Sequence, residues 1–147
     1  RFWELLSRLA REEGVAILIT THYLSEAEHC DRLALMYAGR IVAEGTPAHL
    51  KKQVERDIGQ LVEMVVDKPG IALAHVVAAG FAGAALFGTK IHVLSRDPGR
   101  DEGRLRDVLA RSGIAVGSVR TRMLSLEDVF VSRVMALEQA AQKEVSA

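Results

Sequence analysis

The sequence predicts an α/β unit followed by a small α+β domain. Three observations carry that expectation. Apolar residues at helical spacing lead into Val15, Ala16, Ile17, Leu18 and Ile19, a run that stops abruptly at Thr20, Thr21 and His22. Two short alternating segments then flank Ala38 and Gly39 as a hairpin. Beyond residue 57 the periodicities recur in the order β, α, β, β, α, β, the split βαβ pattern of two helices on an antiparallel sheet.

Size and charge narrow the possibilities. A chain of 147 residues buries roughly 70% of its extended surface, enough for one ordinary core or two small ones. Lysine plus arginine and aspartate plus glutamate each number 19, so no net field favours nucleic acid, which is not an expected partner. Cys30 is the single cysteine, which excludes an internal disulfide and fits a reducing compartment. No basic head, apolar run and small-residue cleavage site follows Arg1. A cytoplasmic address is therefore expected, and the chain reads as part of something longer.

Phe2, Leu5, Leu6 and Leu9 recur at i, i+3, i+4 and i+7, with Glu4, Ser7, Arg8, Arg11 and Glu12 on the other face. That spacing predicts an amphipathic helix, and Gly14 supplies a left-handed residue to end it. The run 15–19 has the composition of a strand buried on both faces of a parallel sheet. Ligands of open α/β sheets bind outside the carboxyl ends of the strands, which is where His22 falls. Ser25 and Glu28 have capping-box spacing for a short helix. Residues 33–37 and 40–44 read as strands about Ala38 and Gly39. Thr46 and Pro47 start another helix, running through Leu50 and Val54, with threonine as cap and proline at its first position.

The character changes around 55–59, where a domain boundary is expected, dividing the chain into 1–57 and 58–147. The second part predicts strands at 61–66, 84–87, 91–95 and 115–121, with helices at 71–81, 101–112 and 125–139. The tail beyond Gln139 is expected to fray.

The segment THYLSEAEHCDRLALMYAGRIVAEGTP, unbroken from His22 through Glu26, Ala27, Glu28, His29, Cys30, Asp31 and Arg32 to the hairpin, resembles the switch-histidine segment of ATP-binding cassette (ABC) transporter ATPases, in the branch that drives ABC-2-type export permeases. The resemblance implies that 1–57 is the C-terminal part of a P-loop NTPase core and 58–147 an accessory α+β domain. Chains of this branch often end near a phrase like Ser125, Leu126, Glu127, Asp128, Val129, Phe130. In the family the histidine at the place of His22 reaches the γ-phosphate of ATP and helps hold the attacking water and the phosphoryl group in line, which makes His22 the implied catalytic and ATP-contacting residue.

Further implications concern the complete protein: ATP and Mg²⁺ as cofactors, ATP hydrolysis coupled to export, and a permease subunit or fused permease domain as partner. A second nucleotide-binding domain completes a dimer, peripheral at the inner face of the membrane. Walker A, signature and Walker B elements are absent from these residues, so the chain alone is expected to be inactive and to bind no nucleotide tightly. The competing expectation is a non-catalytic regulatory or dimerisation module.

Other candidates carry less. Gly83 and Gly88 with Thr89 and Lys90 imitate a Walker A loop, but Thr and Lys stand in swapped order and a strand pattern follows where a helix is required. His22, Glu26, His29 and Cys30 match no metal-ligand spacing, and no metal site is expected. Without a GxSxG elbow no hydrolase triad is expected. Residues 71–87 are nearly free of charge but short of the roughly 20 apolar residues a span requires. Arginines 96, 100, 104, 106 and 111 interleave with acids as on a solvated face. Glu127, Asp128 and Phe130 are read as helix start and core, with no function assigned.

Overall fold

The computed structural model describes residues 1–145, of which the side chains of 144 and 145 are left aside. Six helices and two antiparallel sheets make up a mixed α/β architecture among the described residues. Helix α1 (Phe2–Glu12) forms as its periodicity predicts, and Gly14, at φ 69°, ends it. The face meant for a core is open, however: Phe2 and Leu5 are exposed and no residue of α1 is buried. Trp3, stacked on His29 with 4.8 Å between ring centroids, and Arg11, paired with Asp31 at 3.2 Å, tie the helix to the chain.

The expected buried strand at 15–19 is corrected by the structure. These residues adopt no regular secondary structure and pair with no strand among the described residues, and Leu18 is 96% exposed. A β-branched run selects extended backbone, yet a strand becomes a buried strand only when neighbours accept its hydrogen bonds, and among the described residues none does.

Strands β1 (Leu33–Tyr37) and β2 (Arg40–Gly45) form the expected hairpin, with Leu33 opposite Gly45 and a bulge between Leu35 and Met36. Ala38 and Gly39 both take positive φ, 49° and 75°. That pairing is what a two-residue hairpin turn matched to strand twist needs, at a cost of about 1 to 2 kcal/mol for the alanine. Helix α3 (Pro47–Asp57) starts as predicted, with Thr46 Oγ accepting the His49 amide at 3.1 Å.

Between α3 and the next strand, Gly59 adopts φ 128°, and a Cβ there would collide with the Ser95 carbonyl. Only glycine lets the chain pass this close before entering β3 (Gln60–Val66). The remainder follows the predicted order: α4 (Pro69–Ala78), β4 (Ala85–Phe87), β5 (Lys90–Ser95), α5 (Pro98–Arg111), β6 (Val116–Arg122) and α6 (Leu126–Val145). Strand order is β4-β5-β3-β6, antiparallel throughout. Helix α6 runs past the expected end at Gln139, because Ala140, Ala141, Gln142 and Lys143 are strong helix formers. The last part of the expected frayed tail, 146 and 147, lies outside the described residues.

Alternation along β3 divides the core. Val62, Met64 and Val66 point into a cluster with Ala72 and Val76 of α4, Ile91 and Val93 of β5, and Leu105 and Leu109 of α5. Leu61, on the other face, joins Leu35, Leu50, Val54, Leu124 and Val129. The second cluster therefore draws on the hairpin, α3, α6 and the back of the four-stranded sheet at once.

Candidate functional site

His22 lies on the loop between the apolar segment 15–19 and α2 (Leu24–Ala27). Thr21 builds that loop: its hydroxyl donates to Glu26 Oε2 at 2.6 Å and accepts the Tyr23 amide at 3.0 Å. The imidazole is exposed and rests against Tyr23, ring centroids 4.0 Å apart. Among the described residues nothing hydrogen-bonds to it, so both ring nitrogens are open to an incoming ligand. A neutral imidazole in that position can donate one N–H to an anion and accept at the other nitrogen.

The expected capping box of Ser25 and Glu28 does not form. Tyr23 is the N-cap of α2 and makes no side-chain bond there, and Ser25 lies inside the helix, not at its cap, while the Thr21 hydroxyl takes the Tyr23 amide. Glu28 is engaged elsewhere. Its carboxylate pairs with Lys51 Nζ of α3 at 2.6 and 2.7 Å and accepts the Leu126 amide of α6 at 3.3 Å. His29 is stacked on Trp3, while burial and then the charge of Asp31 push the Cys30 thiol pKa up, away from thiolate.

No family model matches the chain. Its relatives are informative. Over 131 residues, 88% of this chain and 40% of the relative, it is 37% identical to Nod factor export ATP-binding protein I of Burkholderia orbicola. Over 56 residues, 38% of this chain and 10% of the relative, it is 45% identical to a protein of Escherichia coli K12 named "Probable multidrug ABC transporter ATP-binding protein YbhF". The chain belongs to the ATP-binding proteins of ABC transporters. A third relative, the energy-coupling factor transporter ATP-binding protein EcfA1 of Caldanaerobacter subterraneus, is 34% identical over 64 residues, 42% of this chain and 23% of the relative.

In this ABC chain the segment with spaced glycines is a hairpin. Gly88 turns β4 into β5, and Lys90 Nζ is committed to Glu63 at 3.1 Å. No helix N-terminus follows to face a phosphate. No helix among the described residues is long and apolar enough to cross a membrane.

The sequence reading missed a buried polar cluster on the α6 side of the four-stranded sheet. Glu63, His92 and Asp128 are each 4% exposed. His92 Nδ1 meets Asp128 Oδ1 at 2.6 Å, and Nε2 lies 3.3 Å from Glu63, which also accepts from Arg122 Nε at 2.9 Å. Phe87 stacks on the His92 ring at 4.3 Å. Asp128 accepts the amide and hydroxyl of Ser125 at 2.8 Å each, while Ser125 Oγ accepts the Asp128 amide at 3.3 Å. This reciprocal cap starts α6.

Burial pushes both carboxyl pKa values up. Hydrogen bonds from Lys90 and His92 to Glu63, and from His92 and Ser125 to Asp128, outweigh that effect and leave both below the ordinary range. A cavity of about 20 Å³ beside His92, Asp128 and Ser132 has room for a water and no more. The cluster therefore fastens α6 to the sheet and offers no substrate pocket. One signal was legible: Glu63 and His92 interrupt otherwise apolar strands and face each other across the β3–β5 register.

Proposed function

We propose that this chain supplies the switch histidine and accessory domain of the ATPase subunit of an ABC-2-type exporter. The observation that carries the reading is His22: an exposed imidazole with no hydrogen-bond partner among the described residues, just after an apolar segment that no described strand pairs with. Residues 1–57 then belong to the nucleotide-binding core and 58–147 to the accessory domain. The chain spans 40% of the Nod factor relative, and the neighbours that residues 15–19 require come from the remainder of such a polypeptide.

Within that assembly the loop residues Thr21 and Tyr23 present the His22 ring, and the ring donates an N–H to a terminal phosphate oxygen of ATP. A charge-assisted bond of this kind contributes on the order of 1.5 to 3 kcal/mol, enough to orient and stabilise without replacing a base. Water attacks the γ-phosphorus, the bond to the β-phosphate oxygen breaks, and ADP and phosphate leave with one proton released. Bound Mg²⁺ would neutralise charge on the phosphate oxygens. The described residues offer no second phosphate cradle, so the remaining contacts come from outside the chain. A second nucleotide-binding subunit and a membrane permease are the partners, which places the ATPase on the cytoplasmic membrane face.

Imidazole ¹⁵N resonances in the complete protein test the contact. The His22 signals are expected to shift with a non-hydrolysable ATP analogue and to respond far less to ADP. An equal response to both nucleotides, or none to either, would remove the γ-phosphate assignment.

A further inference from the structure

We infer that Glu28 is a positioning residue for His22, acting by clamping the switch segment to the N-terminus of α6 and so to the accessory sheet. Helix α2 has four residues and buries only Ala27. A helix of one turn cannot hold itself in place, since nucleating it fixes several dihedrals for one hydrogen bond. The His22 loop is nevertheless fastened to α2 through Thr21 and Glu26. Whatever anchors α2 therefore sets where the imidazole points.

Leu24 packs against the second core cluster, and Glu28, at the C-terminal end of α2, supplies the polar part of that anchor. Its carboxylate grips Lys51 with both oxygens, and the two side chains are only 31% and 24% exposed, so water screens the pair less than it would on an open surface. It also accepts the Leu126 amide, at the end of α6 where the helix dipole favours a negative charge. Leu126 itself is fully buried. From the other side, Asp128 holds the same first turn through Ser125 and ties it to His92 of β5. The first turn of α6 thus stands between two carboxylates, one from the switch segment and one bonded into the sheet. A movement of the accessory sheet would reach the histidine through this turn.

Given the assignment of His22 to the γ-phosphate, Glu28→Ala in the complete ATPase is expected to lower kcat about ten- to a hundredfold with KM nearly unchanged, because the ring is misplaced and the nucleotide contacts are not. Glu28→Gln retains an oxygen for the Leu126 amide and is expected to recover part of the loss. In a His22→Ala background, Glu28→Ala should cost nothing further, since a residue acting through the imidazole has nothing left to position. An equal fold-loss in both backgrounds would overturn the inference, and so would wild-type kcat for Glu28→Ala.

Amide hydrogen exchange separates this from the reading of His22. The substitution is expected to speed exchange across residues 21–29 while leaving β3 and β5 protected. Unchanged exchange across 21–29 would sink the clamp even if His22 proved essential. Wild-type turnover in His22→Ala would overturn the phosphate assignment, and the rate role of Glu28 with it, whatever the exchange shows.

Discussion

Two largely apolar runs in this chain, one of them interrupted by Glu63, have opposite fates. Leu61, Val62, Met64, Val65 and Val66 lie in β3, hydrogen-bonded to β5 on one side and β6 on the other, and Met64 is fully buried. Val15, Ala16, Ile17, Leu18 and Ile19 are equally suited to a strand, yet among the described residues no strand pairs with them, and Leu18 is almost wholly exposed. Sequence pattern specifies what a segment needs. Whether the need is met depends on what else is in reach. The buried run builds a stable platform, while the open one leads into the exposed loop that carries His22.

Substitutions of matched chemistry should separate the two regions. Met64→Ala removes a buried side chain between two helices and is expected to cost about 2 to 5 kcal/mol in chemical unfolding. A loss under about 1 kcal/mol would mean that the sheet core is looser than its packing indicates. Leu18→Ser, by contrast, removes a side chain that touches almost nothing here, so unfolding of this chain should change by no more than about 0.5 kcal/mol. A large loss would show that residues 15–19 are buried by something in solution, most simply another copy.

Between these extremes lies the polar cluster, and pH is its probe. Glu63 and Asp128 have carboxyl pKa values below their unfolded values in spite of burial. Their contribution is therefore fully present above the unfolded carboxyl range near 4 and is lost as pH falls through the depressed folded values. Asp128→Asn should flatten the acid limb of Tm against pH below about 4 relative to the wild type. Parallel limbs in the two proteins would contradict the assigned role of the carboxylate.

How much of this could be read from the chain alone follows from the same contrast. Gly14, the turn at Ala38 and Gly39, the Thr46 and Pro47 start of α3, and the β-α-β-β-α-β order were legible because short-range geometry fixes them. The open state of residues 15–19 was not, because strand pairing is a property of distant partners. The role expected of Glu28 was displaced for a related reason: its spacing from Ser25 suggested a local cap, but Lys51 and the Leu126 amide, 23 and 98 residues away, compete better for the carboxylate. Asp128 was placed correctly at a helix start, and its bond to His92 on β5 could be seen only once the sheet was formed. His22 was singled out by its place after an apolar run inside the family-like segment, and its assignment to the γ-phosphate is a proposal. Its exposure could be seen only once Thr21 and Tyr23 had built the loop around it.

The most direct test of the account is the rate of ATP hydrolysis by the complete protein carrying His22→Ala, measured beside its nucleotide affinity. The expected result is a fall in turnover of roughly ten- to a hundred-and-fiftyfold, the kinetic equivalent of one charge-assisted hydrogen bond, with ATP binding and thermal stability close to wild type. Turnover at the wild-type rate would contradict it.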